Sequence, residues 1–379
     1  MTELSRRVVV IGGGFAGLAC LVELRRAKAD LELHLIDGEK DHCRMTCLHK
    51  TFHTPLKEFL TSFENLSQKL FLSFHETRAS FGLVDLDSWQ KEKCLRLADG
   101  ELGFDALVVA TGSQPVSLSG GGGVFDLTHL RAGKGMAVIE DFCAGTGETD
   151  PAVTFVGGGA TGIQALFEVC STLRDKGSKG TIRLLSRSER LVSELPEKFH
   201  DYIVKQMFRA GIEFFPRTAY LRQAGEKVLT KDLRTGRQGS FRSQLTFLFP
   251  GVRPSPLRFE TNSCGQVLHG DKTLQNIFAA GDCSFFVSSG LNSMTAQAAI
   301  HKGRLVARNV LALLEGDALR HYGYREKGYF ISLGRADAVG WLGTKSVPIK
   351  GFPALVLKEA AETQFALFLG GINTYRLLD

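Results

Sequence analysis

At 379 residues the chain is too long for a single ordinary core, so two or three domains are expected. Hydrophobic residues make up 44% and the mean hydropathy is −0.01, as in a globular chain; the net charge of +6 comes from Lys and Arg scattered among acids, without the basic stripe of a nucleic-acid binder. The eight cysteines contain no C-x-x-C pair, which argues against a zinc ribbon, and no metal site is expected.

Residues 1–14 run straight into an apolar strand and a glycine turn, with no pattern of a secretory leader. No run of 18 apolar residues reads as a membrane-spanning helix. The expected compartment is the cytoplasm, where thiols stay reduced.

Val8, Val9, Val10 and Ile11 form a continuous apolar, β-branched run, the signature of a buried parallel strand. Gly12, Gly14 and Gly17 follow as G-x-G-x-x-G, with Phe15 and Ala16 between the last two. Residues 18–26 read as a helix, and a second strand over 31–36 ends at Asp37. Each piece has a physical task. Gly12 permits a tight turn, Gly14 lets a pyrophosphate approach the backbone, and Gly17 lets the helix pack on the strand. The helix N-terminus offers unpaired N–H groups and the positive end of its dipole. Asp37 stands 20 residues past Gly17, where an acid binds adenosine ribose hydroxyls.

The pattern recurs. Residues 153–156 read as a strand, followed by Gly157, Gly159 and Gly162, a helix over 163–173 and a strand over 182–185. Two such fingerprints in one chain argue for two dinucleotides and for electron transfer between them. At the end of the second βαβ unit the acid is replaced by Ser186, followed by Arg187. This pair removes a repulsion and offers donors to a ribose 2′-phosphate, so NADPH is expected to serve at least as well as NADH. The alternative is that Arg187 is a solvated loop residue.

Three further segments carry a family resemblance. Ala110, Thr111 and Gly112, after the apolar run 107–109, resemble the ATG segment of flavoproteins with two dinucleotide-binding domains. Residues 249–254 (FPGVRP) look like the crossover out of their nicotinamide domain, and Gly281-Asp282, after 277–280, resembles their second FAD motif. In that motif the acid, here Asp282, holds the ribityl chain. The order matches the pyridine nucleotide–disulfide oxidoreductase superfamily across essentially the whole chain. This resemblance implies an α/β fold of two Rossmann-like domains, with the nicotinamide domain inserted in the FAD domain. It implies boundaries at 1–125 and 253–325 for FAD, 126–252 for NAD(P)H, and 326–379 for a small C-terminal segment.

Within that superfamily the chain most resembles the type II NADH dehydrogenases, which are single-subunit NAD(P)H:quinone oxidoreductases. Their quinone-site pattern A-Q-x-A-x-Q-x-G is met by Ala296, Gln297, Ala299 and Gly303, with His301 in place of the second Gln. Residues 327–339 resemble the family's C-terminal strands, and residues 351–354 (GFPA) the start of its membrane-facing helix. Where the family carries a Glu past the second glycine motif, this chain has Gln164, which cannot relay a proton as a carboxylate does. The resemblance implies hydride transfer from NAD(P)H to FAD, then two electrons to a quinone or other small acceptor. Gln297 is expected at the acceptor, Gln164 near the nicotinamide, and His301 as a proton source. The rival readings are a soluble NAD(P)H-dependent reductase of an iron–sulfur protein or sulfur compound, and an apoptosis-inducing-factor-like redox sensor.

Cys43 and Cys47 stand in the region where disulfide reductases keep a redox pair, but with C-x-x-x-C spacing and without flanking glycines. We read them as buried thiols, with a redox disulfide and a covalent flavin link as alternatives. His42 and His49, in the same loop, are read as structural or solvated. Phe365, Phe368, Leu369 and Ile372 fall at i, i+3, i+4 and i+7, one helical face, while Lys358, Glu359 and Glu362 interrupt the apolar run. The expectation is a surface helix over 352–372 that docks peripherally on the inner face of the cell membrane, or packs against the FAD domain or a homodimer partner.

Overall fold

In a computed structural model of the chain the described residues are 6–28, 30–79, 81–98, 100–116, 118, 122–145, 151–178, 180–254, 257–287 and 292–377. They fall into two compact units. Unit one comprises Met1–Cys43, Leu60–Gln114 and Arg253–Glu326; unit two comprises Arg44–Phe59, Pro115–Val252 and Lys327–Asp379.

Unit one is built on an eight-stranded sheet. Its parallel half runs Lys272–Ala279, Ala106–Val109, Arg7–Ile11, Glu32–Asp37, Ser73–Glu76. Val8, Val9 and Val10 are fully buried, which is why this strand reads as an unbroken apolar run. The helix Phe15–Ala27 starts at Gly14 and carries Arg25 and Arg26 in its last turn, where cations suit the dipole. The helix Ala296–Glu315 starts at Thr295, whose side chain accepts from the Ala298 N–H at 3.2 Å, and stops at Gly316 with φ +78°. A Cβ at Gly303 would stand 2.1 Å from the Ala16 carbonyl oxygen, so the two helices meet backbone to backbone. This contact sets the helix Ala296–Glu315 against the first turn of the helix Phe15–Ala27.

Unit two is built on five parallel strands in the order Val124–Asp126, Leu245–Leu248, Ala152–Val156, Thr181–Leu185, Ile212–Phe215. An antiparallel ribbon of Thr218–Ala224, Lys227–Asp232 and Gln238–Arg242 follows. The C-terminal segment forms a small antiparallel sheet, Gly328–Ser332, Ala338–Leu342 and Ile349–Lys350, covered by the helix Phe352–Leu369. Residues 44–59, which the sequence places before the first domain boundary, group with this unit. Phe52 packs edge-on to Phe247 at 5.2 Å between ring centroids.

Of the three expectations for the C-terminal helix, membrane, partner or packing on the FAD domain, burial within the chain holds for Phe365, Phe368 and Leu369, but the helix groups with unit two and not with unit one. Lys358, read as an interruption on the surface, is 5% exposed and points inward. The apolar residues left outside are Phe352, Val356 and Leu367, with Ile372 just past the helix end.

Candidate functional site

The first glycine turn shows which of its residues the backbone demands. Gly12 has φ +103°, and a Cβ there would stand 2.4 Å from the Ala110 carbonyl oxygen. A Cβ at Gly17 would stand 1.9 Å from the Gly12 carbonyl oxygen. Gly14 differs: it is exposed, and a Cβ there would meet nothing within 4 Å. Two glycines therefore close the turn, and the third leaves open space before the helix N-terminus, as a pyrophosphate requires. Asp37 is held at the lip of this space. Its Oδ2 accepts from the Gly13 N–H at 2.7 Å and its Oδ1 from the Glu39 N–H at 2.9 Å. His42 is buried, its Nδ1 donating to the Gly13 carbonyl at 2.9 Å and its ring edge-on to Phe15. It braces the turn, a role that chain position alone did not reveal.

Ala110, Thr111 and Gly112 leave the strand Ala106–Val109 beside this turn, Gly112 with φ +72°. Ser113 Oγ donates to Asp282 Oδ2 at 2.7 Å. Burial raises the Asp282 carboxyl above its ordinary value, partly offset by Ser113 and the Lys302 charge. Gly281 is pressed on Ala16, where a Cβ would stand 3.0 Å from the alanine methyl carbon. Thus Gly12, Gly14, Phe15, Ala16, Gly17, Asp37, the 110–112 segment, Gly281 and Asp282 all belong to unit one. Ala296 and Gln297 open the helix of the same unit, half-buried. His301 is one turn on from Gln297, on the same face, and packs against Tyr322 and Tyr324 at 5.6 and 5.3 Å.

Unit two repeats the geometry position by position. Gly157 has φ +120°, and its Cβ would stand 2.1 Å from the Phe249 carbonyl oxygen. The Cβ of Gly162 would stand 2.4 Å from the Gly157 carbonyl oxygen, and that of Gly159 would meet nothing within 4 Å. Both Gly14 and Gly159 cap their helices in extended conformation. Two glycine cradles of one construction, each at the end of an interior strand with parallel neighbours on both sides, are the architecture of a two-dinucleotide flavoprotein.

Comparison with known proteins agrees. The family model of pyridine nucleotide-disulphide oxidoreductase matches residues 6–303. The chain belongs to this family.

Curated relatives include the type II NADH:quinone oxidoreductases of Staphylococcus aureus strains MSSA476 and NCTC 8325 / PS 47, each 27% identical over 404 residues, covering 98% of either chain. Two solved structures share the fold. The sulfide:quinone oxidoreductase from Aquifex aeolicus has a TM-score of 0.78 at 17% identity, over 97% of this chain and 92% of that one. NDH2 from Plasmodium falciparum has a TM-score of 0.76 at 11% identity, over 97% and 98%. Members of the pyridine nucleotide-disulphide oxidoreductase family are flavin-dependent NAD(P)H oxidoreductases that bind FAD and NAD(P)H. The residues of both cradles fit dinucleotides of that kind.

In the cradle of unit two, Ser186 is 3% exposed and lies under the glycine turn, where a Cβ at Gly158 would stand 2.8 Å from its Oγ. Arg187 is exposed, and the next acid, Glu189, is paired with Arg217. Arg187 is thus an exposed cation just past the end of the strand Thr181–Leu185. We expect kcat/KM for NADPH to match or exceed that for NADH, and Arg187→Ala to lower the NADPH value selectively, by tenfold or so, as one charge-assisted bond to phosphate is lost. Steady-state rates with the two nucleotides check this. A strong NADH preference that the substitution leaves unchanged would remove Arg187 from phosphate recognition.

Gln164 lies in the first turns of the helix Ala160–Asp175, and its Oε1 accepts from Ser332 N and Oγ at 3.4 and 3.2 Å. Ser332 Oγ meets His49 Nε2 at 3.3 Å, and Lys358 Nζ meets the same nitrogen at 3.3 Å. Lys358 is paired with Glu362, which Lys50 also reaches at 2.7 Å. A protonated Lys358 can only donate, so Nε2 of His49 accepts and the proton sits on Nδ1. Burial, with the charges of Lys358 and Lys50, drives the His49 imidazole well below its ordinary pKa. Burial also depresses Lys50, but Glu362 and Glu359 outweigh it and hold that ammonium above the usual lysine value. Gln164 therefore ends a buried polar chain whose other members no spacing in the sequence connects.

All eight cysteines are free thiols. Burial, followed by the Glu362 charge, pushes the Cys47 thiol up to about 11. Cys283 is fully buried, its thiol donating to the Ala280 carbonyl at 3.3 Å. Neither holds a thiolate at neutral pH, as a nucleophilic or redox-active cysteine must.

Proposed function

We propose that the protein is an NAD(P)H:quinone oxidoreductase, with FAD in unit one and the nicotinamide nucleotide in unit two. The observation that carries this reading is the doubled glycine cradle, in a chain similar from end to end to type II NADH:quinone oxidoreductases. A bound flavin would supply the two-electron chemistry that links the nicotinamide to the acceptor. The protein's residues bind and orient. The first-turn N–H groups after Gly14 and Gly159 hold the pyrophosphates, Asp37 the adenosine ribose, and Asp282, with Ser113, the ribityl chain. Thr295 caps the helix that presents Gln297, whose amide donates to a quinone carbonyl more strongly as the oxygen gains charge.

Gln164 accepts from Ser332 and carries no titratable proton, so the proton that quinone reduction consumes comes from elsewhere. His301, on the Gln297 face of its helix, is our candidate. The high thiol pKa at Cys47 speaks against a thiolate role for that residue. Among the described residues no helix is long and apolar enough to cross a membrane. The exposed Phe352, Val356 and Ile372 support peripheral contact of the C-terminal segment with a lipid surface.

The test separates the half-reactions. Gln297→Ala should slow reoxidation of the reduced enzyme by a short-chain quinone about tenfold, through loss of one hydrogen bond to a developing charge, and leave reduction by NAD(P)H nearly intact. Stopped-flow absorbance follows both steps. Equal loss in the two would assign Gln297 to the fold, and no loss in either would place the acceptor elsewhere. If His301 supplies the proton, His301→Gln flattens the pH profile of the quinone step.

A further inference from the structure

Lys302 is 1% exposed, in a helix whose other buried positions are mostly apolar. Its ammonium donates to the carbonyls of Ser284 at 2.8 Å and Gly281 at 3.3 Å, the two ends of the turn that carries Asp282. The ring centroids of Phe286 and Tyr322 lie 5.2 and 6.0 Å from Nζ. Two carbonyls need only two donors, and a neutral amide would supply them without burying a charge. A buried ammonium is costly unless it faces something negative. Here the negative charge that acts on it is the Asp282 carboxylate in the same turn, itself largely buried, to which Ser113 Oγ donates.

We propose that Lys302 is a positioning residue for the flavin, its ammonium clamping the Gly281–Ser284 turn so that Asp282 is presented to the ribityl chain, and that loss of its proton slackens the clamp. This rests on the assignment of FAD to unit one. The proton leaves Nζ as an amine is formed. The amine still donates to both carbonyls, but without charge assistance and without a counter-charge for Asp282.

The surroundings place that titration in a usable range. Burial lowers Lys302 to about 8, against a smaller opposing pull from Asp282 and Cys283. The thiol and the two phenols nearby hold their protons there. Burial raises the Cys283 thiol, pushes Tyr324 up to about 12, and drives Tyr322 higher still, with Glu326 adding to both tyrosines. His301, the neighbour on the helix, faces Tyr322 and Tyr324.

The experiment measures the FAD dissociation constant from pH 6.5 to 9.5, by flavin fluorescence on reconstituted protein, for the wild type, Lys302→Arg and Lys302→Met. The unfolding temperature of the apoproteins is measured in the same buffers. In the wild type FAD affinity should fall about tenfold through the region of pH 8, the difference between a charged and a neutral hydrogen bond. Lys302→Met should bind weakly and without that step, and Lys302→Arg, if it folds, should bind without the step because guanidinium keeps its charge. Apoprotein stability should move the opposite way. The folded-state pKa is depressed, so the wild type gains stability relative to Lys302→Met as pH rises from about 8 toward the unfolded value. A purely structural lysine would move affinity and stability together. A flat wild-type affinity profile, or the same step in Lys302→Met, overturns the proposal. A wild type that binds no FAD at any pH removes instead the assignment on which the proposal rests.

Discussion

Gly17→Ala is expected to strip the protein of its flavin. The added Cβ would stand 1.9 Å from the Gly12 carbonyl oxygen, where real Cβ atoms do not approach below 3.0 Å. The obstacle is backbone on both sides, so no rotamer change relieves it. The helix Phe15–Ala27 must lift away from the strand, or the turn must open, and either removes the N–H groups from the pyrophosphate. Overpacking of this kind costs about 1–3 kcal/mol even where side chains yield, so the upper end is expected here. The purified variant should be colourless and should not regain flavin absorbance on incubation with FAD. Gly162→Ala makes the matching clash in unit two, at 2.4 Å from the Gly157 carbonyl oxygen. It should keep its flavin yet fail to reduce it with NAD(P)H. Gly14→Ala is the counterpart that separates fold from ligand, since nothing lies within 4 Å of the new methyl group. It should unfold like the wild type and bind FAD more weakly. A yellow Gly17→Ala protein would show that this turn is not the flavin cradle.

Glu362→Gln should be among the most destabilising single changes in unit two. Glu362 lies between Lys358 and Lys50, with side chains 6%, 11% and 18% exposed for Lys358, Glu362 and Lys50 respectively. Removing its charge leaves two confined ammoniums facing each other across an amide, and Lys50 keeps only Glu359. Breaking a buried pair by deleting one partner costs about 3–5 kcal/mol, because the remaining charge has lost its compensation. Part of Lys50 is solvated, so the lower end of that range is expected, read as a lower urea midpoint. Lys358→Met with Glu362→Leu, which removes the pair together, should recover much of the loss. His49 adds acid sensitivity to the same cluster. Its folded pKa is depressed, so the unfolded chain binds a proton that the folded one excludes, and stability falls as pH drops below the ordinary histidine range. If Glu362→Gln unfolds with the wild type, the carboxylate is not what neutralises this cluster.

Much of the nucleotide-binding architecture is legible in the order of the amino acids. Strand, turn and helix at residues 7–27 and 152–175 are local events, and steric limits on φ and on Cβ approach force glycine at the same relative positions each time. The acid at Asp37 follows from the length of one βαβ repeat, and Gly281 and Asp282 are picked out by resemblance to a family motif. Such signals are legible because the physical constraint and the residues that satisfy it are close in the chain.

The tertiary structure alone decided which charges lie inside. Lys358 and Glu362 read as surface residues, and nothing in the sequence marks Lys302, since an isolated ammonium or carboxylate is almost always solvated. Their partners are 18 and 309 positions away for Lys302–Ser284 and Lys358–His49. No periodicity links residues 49, 164, 332 and 358; they meet because the C-terminal helix lays Lys358 inward, toward His49 and Ser332. The same packing turned Phe365, Phe368 and Leu369 inward and left Phe352 and Val356 outside. An apolar stripe states that a helix has a face to bury, and only the completed fold shows what buries it.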